Sequence, residues 1–125
     1  EYVHPPANKI GVLVRLRGSN PAAARRLAMH IASGAPAWLR REEVPEASVA
    51  TERQVYLNSD AVQGKPEQAR EKIVEGMLAK RFFAAYPGGV LLEQQWIHDG
   101  SMTVAQALVH EGIEALEFVR QSVAE

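Results

Sequence analysis

The sequence predicts an α+β domain: a small three-stranded antiparallel sheet with helices on one side and a long, protruding antiparallel helical hairpin. Three observations predict it. Residues 9–17 and 114–123 alternate apolar and polar side chains at the period of strands with one buried face. Residues 21–33 and 103–110 carry apolar stripes at helical spacing. Residues 46–62 and 67–86 read as two longer helices separated only by Gly64-Lys65-Pro66, a turn so short that the helices must run antiparallel.

Taken in order, the first strand places Val12, Val14 and Leu16 on one side and Leu13, Arg15 and Arg17 on the other. Gly18-Ser19-Asn20 turns the chain. Ser19 or Asn20 then caps the first helix, with Pro21 at its first position, where a missing N–H leaves nothing unsatisfied. Its stripe is Ala24, Leu27, Ala28, Ile31 and Ala32, and Gly34 and Pro36 end it. Residues 36–44 connect irregularly, with Trp38 and Leu39 as core anchors. Pro45 opens the hairpin, and Pro87-Gly88-Gly89 stops it. Residues 90–97 read as a second strand, with the turn at Asp99-Gly100. Ser101 or Thr103 caps a short helix whose Val104, Ala107 and Leu108 share a face, and residues 114–123 make the last strand. The whole chain, 1–125, is one domain, with 46–86 as an inserted hairpin.

Composition narrows the function. Of 125 residues, 46% are apolar and 23% charged, and there is no cysteine. The missing thiols exclude a disulfide framework, a thiolate metal site and a cysteine nucleophile, and they fit a reducing, cytoplasmic setting. Fourteen basic against fifteen acidic residues give a net charge of −1, which argues against a nucleic-acid or anionic-membrane binder. No apolar run approaches the ~20 residues of a membrane helix. The opening Glu1-Tyr2-Val3-His4 shows neither an initiator methionine nor a leader, and reads as internal to a longer protein.

The residues that carry chemistry form no catalytic set. His4, His30, His98 and His110 are never three or four apart, so the helical zinc spacing is absent and no metal site is expected. His30 lies beside an apolar stripe and reads as a packed, hydrogen-bonded helix residue. His98-Asp99 has the types of a base and its orienter, but Asp99-Gly100 is an ordinary turn. No serine is framed as a nucleophile elbow. Gly64-Lys65-Pro66 lacks the first glycine of a phosphate loop and has Pro where Ser or Thr would hold magnesium. Neither enzyme activity nor a cofactor is expected.

Surface for a partner is the stronger signal. In the hairpin, Ala47, Ala50, Gln54, Leu57 and Ala61 seal one arm against the other. Val55, Tyr56 and Val62 then fall on a second face that needs another surface to cover it. On the residues alone, a docking module for another protein and a structural homodimerisation module both remain open.

Several segments, taken together, carry a resemblance: Gly11 to Val14, Leu27 to Ala32, Arg41-Glu42-Glu43-Val44-Pro45, Gly64-Lys65-Pro66-Glu67 leading into Glu71 to Met77, Leu91-Leu92-Glu93-Gln94, and Phe118-Val119-Arg120. In this order and spacing they resemble bacterial translation elongation factor Ts over nearly the whole chain, in the second core subdomain that bears the helical dimerisation module. The resemblance implies a guanine-nucleotide exchange factor that binds the GTPase elongation factor Tu, disturbs its magnesium and phosphate site, and releases GDP. Such a factor works by binding the nucleotide-free partner more tightly than the GDP-bound one. By the same resemblance His4 matches a histidine that touches the GTPase domain, and Ile97 and His98 match a pair that also meets the partner. Antiparallel pairing of residues 9–17 with 90–97 would place all three on one rim. The family's exchange-promoting Thr-Asp-Phe segment does not occur in these 125 residues, and Gln95-Trp96 stand where Pro-Phe is usual. The expectation is a piece that docks on elongation factor Tu without the segment that promotes exchange, with homodimerisation as the alternative use of its hairpin.

Overall fold

The computed structural model describes residues 2–4 and 10–122, with the backbone alone for Val3 and His4. Two layers form the first core. Strand β1 (Tyr2–His4) pairs antiparallel with β2 (Ile10–Arg17), and β2 pairs antiparallel with β5 (Glu114–Ser122), giving the sheet order β1-β2-β5. The alternation read from sequence decides the faces. Val12 is buried with Val14 and Leu16 behind it, whereas Leu13 faces out opposite Val119. Arg15 pairs with Glu117 and Arg17 with Glu114 on that outer face.

Helix α1 (Pro21–Gly34) covers the inner face. Its start follows local chemistry: the Asn20 side chain accepts the Ala23 N–H, and Pro21 takes the first turn. Leu27 and Ile31 are fully buried at four-residue spacing. The short helix α5 (Val104–Glu111) closes the same core with Val104, Ala107 and Leu108. Thr103 caps it through a reciprocal box with Gln106.

Residues 44–90 build a second core. Helices α2 (Glu46–Leu57), α3 (Asp60–Gln63) and α4 (Glu67–Met77), followed by a π-helical turn at Leu78–Phe83, surround Tyr56, Val62, Val74, Leu78 and Phe83. The two unbroken arms expected over 46–62 and 67–86 are therefore interrupted. Asn58-Ser59 breaks the first, where the Ser59 hydroxyl donates to the Tyr56 carbonyl. The wider π turn modifies the second. This break turns Val62 inward. Val62 is 0% and Tyr56 8% exposed, so both are buried in the second core, and of the three residues expected on an outer face only Val55, at 57%, is exposed.

The strand expected at 90–97 is also corrected, and with it the composition of the three-stranded sheet. Residues 91–93 form a 3-10 turn, and only Gln95–Trp96 (β3) forms a strand, paired with β4 (Asp99–Thr103) in a separate two-stranded ladder. The physical reason is local: the Val90 carbonyl accepts from the amides of Glu93 and Gln94, which closes a turn on itself, and Val90 and Leu91 are both fully buried, one in each core. The segment instead runs beside residues 37–39. Val90 bridges Trp38, and the amides of Leu91 and Leu92 donate to the carbonyls of Trp38 and Leu39. Gly89 permits the approach, since its φ is +73° and a Cβ there would lie 2.7 Å from the Phe83 carbonyl oxygen.

Candidate partner-docking site

Trp96 pairs with Asp99, which leaves Ile97 and His98 as the two residues at the tip of the β3–β4 hairpin. The turn therefore sits two residues earlier than Asp99-Gly100. Asp99 instead accepts from the amide and hydroxyl of Ser101, and these bonds hold its carboxyl below the usual range. It does not orient His98. The His98 Nε2–H donates to the Arg26 carbonyl on α1 at 3.1 Å, and its ring meets Trp96 edge-on with centroids 4.8 Å apart.

Behind the tip the support is buried and polar. Trp96 stacks nearly parallel on His30, with ring centroids 5.4 Å apart. His30 is fully buried on α1, a packed and hydrogen-bonded helix residue. Its ring lies 2.9 Å from Gln94 Oε1 through Nε2, and 3.3 Å from the Ile97 amide through Nδ1. Burial pushes the imidazole pKa down, and neighbouring His98 adds to the effect against the opposing Gln94 bond, so the ring is neutral near pH 7. Gln94, also fully buried, donates through Nε2 to the carbonyls of Gly34, Ala85 and Gly88. One carboxamide thus joins the end of α1, the junction after the π turn, and the imidazole behind Ile97. Gly34 leaves room for it: a Cβ there would lie 2.9 Å from Gln94 Oε1 and from Tyr86.

Ile97 itself is 42% exposed. It lines an open groove with Trp96 and Gln95 on one side and Lys80, Ala84 and Tyr86 on the other. The groove is thus shared by the hairpin and the end of the second core. The sequence reading joined His4, Ile97 and His98 through a pairing of 9–17 with 90–97, and that pairing does not occur. Ile97 and His98 stay together on one turn anchored to α1. His4 lies on β1 with its backbone opposite Ile10, and its side chain is outside the described residues. Gln94 and Trp96 escaped the sequence reading as functional support. The available signal was a Gln-Gln pair inside an otherwise apolar run, a polar residue with no solvent-facing period to explain it.

Among the described residues no three His, Asp or Glu side chains are arranged to hold a metal ion, and no helix is long and apolar enough to cross a membrane. The arrangement is that of an α+β domain presenting an apolar turn residue on a rigid polar base. The family described as Elongation factor TS matches residues 1–125, and the chain belongs to it. It is 37% identical to elongation factor Ts of Azotobacter vinelandii over 99% of its length, and 41% identical to that of Deinococcus radiodurans over 95%. The chain spans about 42% of the length of each of these relatives.

Proposed function

We propose that these 125 residues are the docking part of a guanine-nucleotide exchange factor, which binds elongation factor Tu in the cytoplasm and promotes release of GDP during translation. The observation that carries this reading is the half-exposed Ile97 at the tip of a hairpin whose backbone is tied to a buried imidazole. An apolar side chain held rigidly outward loses little freedom on binding, which is what an interface anchor requires. His98 completes the tip. With its Nε2–H engaged by Arg26, its Nδ1 is the ring nitrogen left to meet a partner. The resemblance adds His4 from β1 as a third contact.

The chemistry is binding, without bond making. A domain that holds the nucleotide-free partner more tightly than the GDP-bound one must, by reciprocity, weaken GDP binding by the same factor. Thr-Asp-Phe is absent from these 125 residues, so docking and exchange are divided, with exchange promoted from another part of the factor. Homodimerisation is the lesser reading, since of Val55, Tyr56 and Val62 only Val55 reaches the surface.

Mixing the 125-residue chain with nucleotide-free elongation factor Tu tests the reading. A complex is expected on gel filtration, and release of fluorescent GDP should be far slower than with a full-length factor. No complex overturns the docking role. Release at the rate of the full-length factor overturns the division of labour.

A further inference from the structure

The turn carrying Ile97 and His98 is weakly held by its own ladder, whose register slips between Gln95 and Trp96. What fixes it is a sequence of one-way hydrogen bonds. The Ile97 amide donates to His30 Nδ1, and a ring nitrogen accepts only when it carries no proton. The proton of the neutral ring is therefore on Nε2, donating to Gln94 Oε1. That oxygen cannot exchange places with the Gln94 amide nitrogen, because the nitrogen faces the carbonyls of Gly34, Ala85 and Gly88, which can only accept.

We propose that His30 is a positioning residue for the docking turn, its tautomer set by Gln94, so that the end of α1, the junction after the π turn and Ile97 are locked into one arrangement. The proposal rests on the docking reading for its functional meaning and on the hydrogen-bond directions for its geometry. The groups facing the ring agree with it. Trp96 stacks on one face, Tyr86 approaches edge-on at 5.9 Å, and His98 stands beyond Trp96. Arg26, one turn earlier on α1, is engaged by Glu111. A second proton, on Nδ1 beside the one on Nε2, would set a donor against the Ile97 N–H and a cation near His98. Burial already disfavours that state.

Two substitutions separate positioning from packing. In His30→Asn the side-chain oxygen takes the place of Nδ1 and accepts from Ile97, but nothing reaches Gln94. In His30→Gln the amide takes the place of Nε2 and reaches Gln94, but Ile97 loses its acceptor. Both bury one amide of similar size, so a packing role predicts equal behaviour. Positioning predicts near-native exchange protection of the Ile97 amide in His30→Asn and roughly two- to tenfold faster exchange in His30→Gln, with Kd for nucleotide-free elongation factor Tu raised by a similar factor only in the latter. Equal Ile97 exchange in the two variants overturns the proposal. Should neither fold, nitrogen NMR of the unaltered chain decides it: a bare Nδ1 supports the assignment and a protonated Nδ1 overturns it. Exchange at Ile97 needs no partner, so it stands apart from the docking reading, which fails instead if Ile97→Ala binds the partner as tightly as the native chain.

Discussion

Replacing Gln94 with Leu removes the one carboxamide that joins both cores, at nearly unchanged volume. The Leu side chain has no polar atoms, so His30 Nε2–H is left buried without a partner, while the Gly34 carbonyl keeps the Gly88 amide. The carbonyls of Ala85 and Gly88 lie in partly buried surroundings that water can reach, and count for less. At about 1–3 kcal/mol for one fully buried orphan, the loss is about 1–3 kcal/mol, against a total of about 5–15 kcal/mol for a domain. For a chain of this size that is a melting temperature lower by about 3–12 °C. Urea denaturation followed by circular dichroism measures it. Trp96 fluorescence reports the same event locally, because its ring lies against His30. A loss below about 0.5 kcal/mol would refute the reasoning, since it would mean that the buried groups find other partners or that the carboxamide is not their partner.

Two further outcomes follow from burial. Val62→Ala opens space in the second core and should lower stability by about 2 kcal/mol while leaving self-association unchanged; a weakened dimer at native stability would return Val62 to the surface. Stability should also fall as pH drops below 6.5, because the unfolded chain takes up a proton on His30 that the folded chain, with its lowered pKa, refuses. Above pH 6.5 the ring is neutral in both states and contributes no slope. Below it the slope is at most about 1.4 kcal/mol per pH unit, ending at the folded pKa. His30→Asn should flatten this part of the profile, and identical profiles at pH 7.5 and 5.5 would contradict it.

How far sequence reasoning reached depended on whether local chemistry or long-range packing decided a segment. Strand β2 was read within one residue, because Val12, Val14 and Leu16 alternate against Leu13, Arg15 and Arg17 on a sheet with one buried face. Helix α1 was equally plain, with Asn20, Pro21 and the spacing from Leu27 to Ile31 all local signals. Residues 90–97 misled because Val90-Leu91-Leu92 is apolar enough for a strand, whereas the Val90 carbonyl closes a local turn with the amides of Glu93 and Gln94. Tyr56 and Val62 misled for a related reason. The second core claims both, and the break at Asn58-Ser59 just before Val62 has no proline or glycine to announce it. At the site, the resemblance located Ile97 and His98 on the chain. The path from Gln94 through His30 to Ile97 spans 64 and 67 positions in sequence, and only the fold brings those residues together.

Ile97→Ala is the most direct test of the docking role. The side chain is half-exposed and lies at a turn, so its truncation should leave the melting temperature nearly unchanged. Binding to nucleotide-free elongation factor Tu, measured by titration calorimetry, should weaken by about 1–3 kcal/mol, roughly five- to a hundredfold in Kd. Native affinity with a melting temperature lowered by several degrees would contradict the account, making Ile97 part of the fold and leaving the hairpin tip without its anchor.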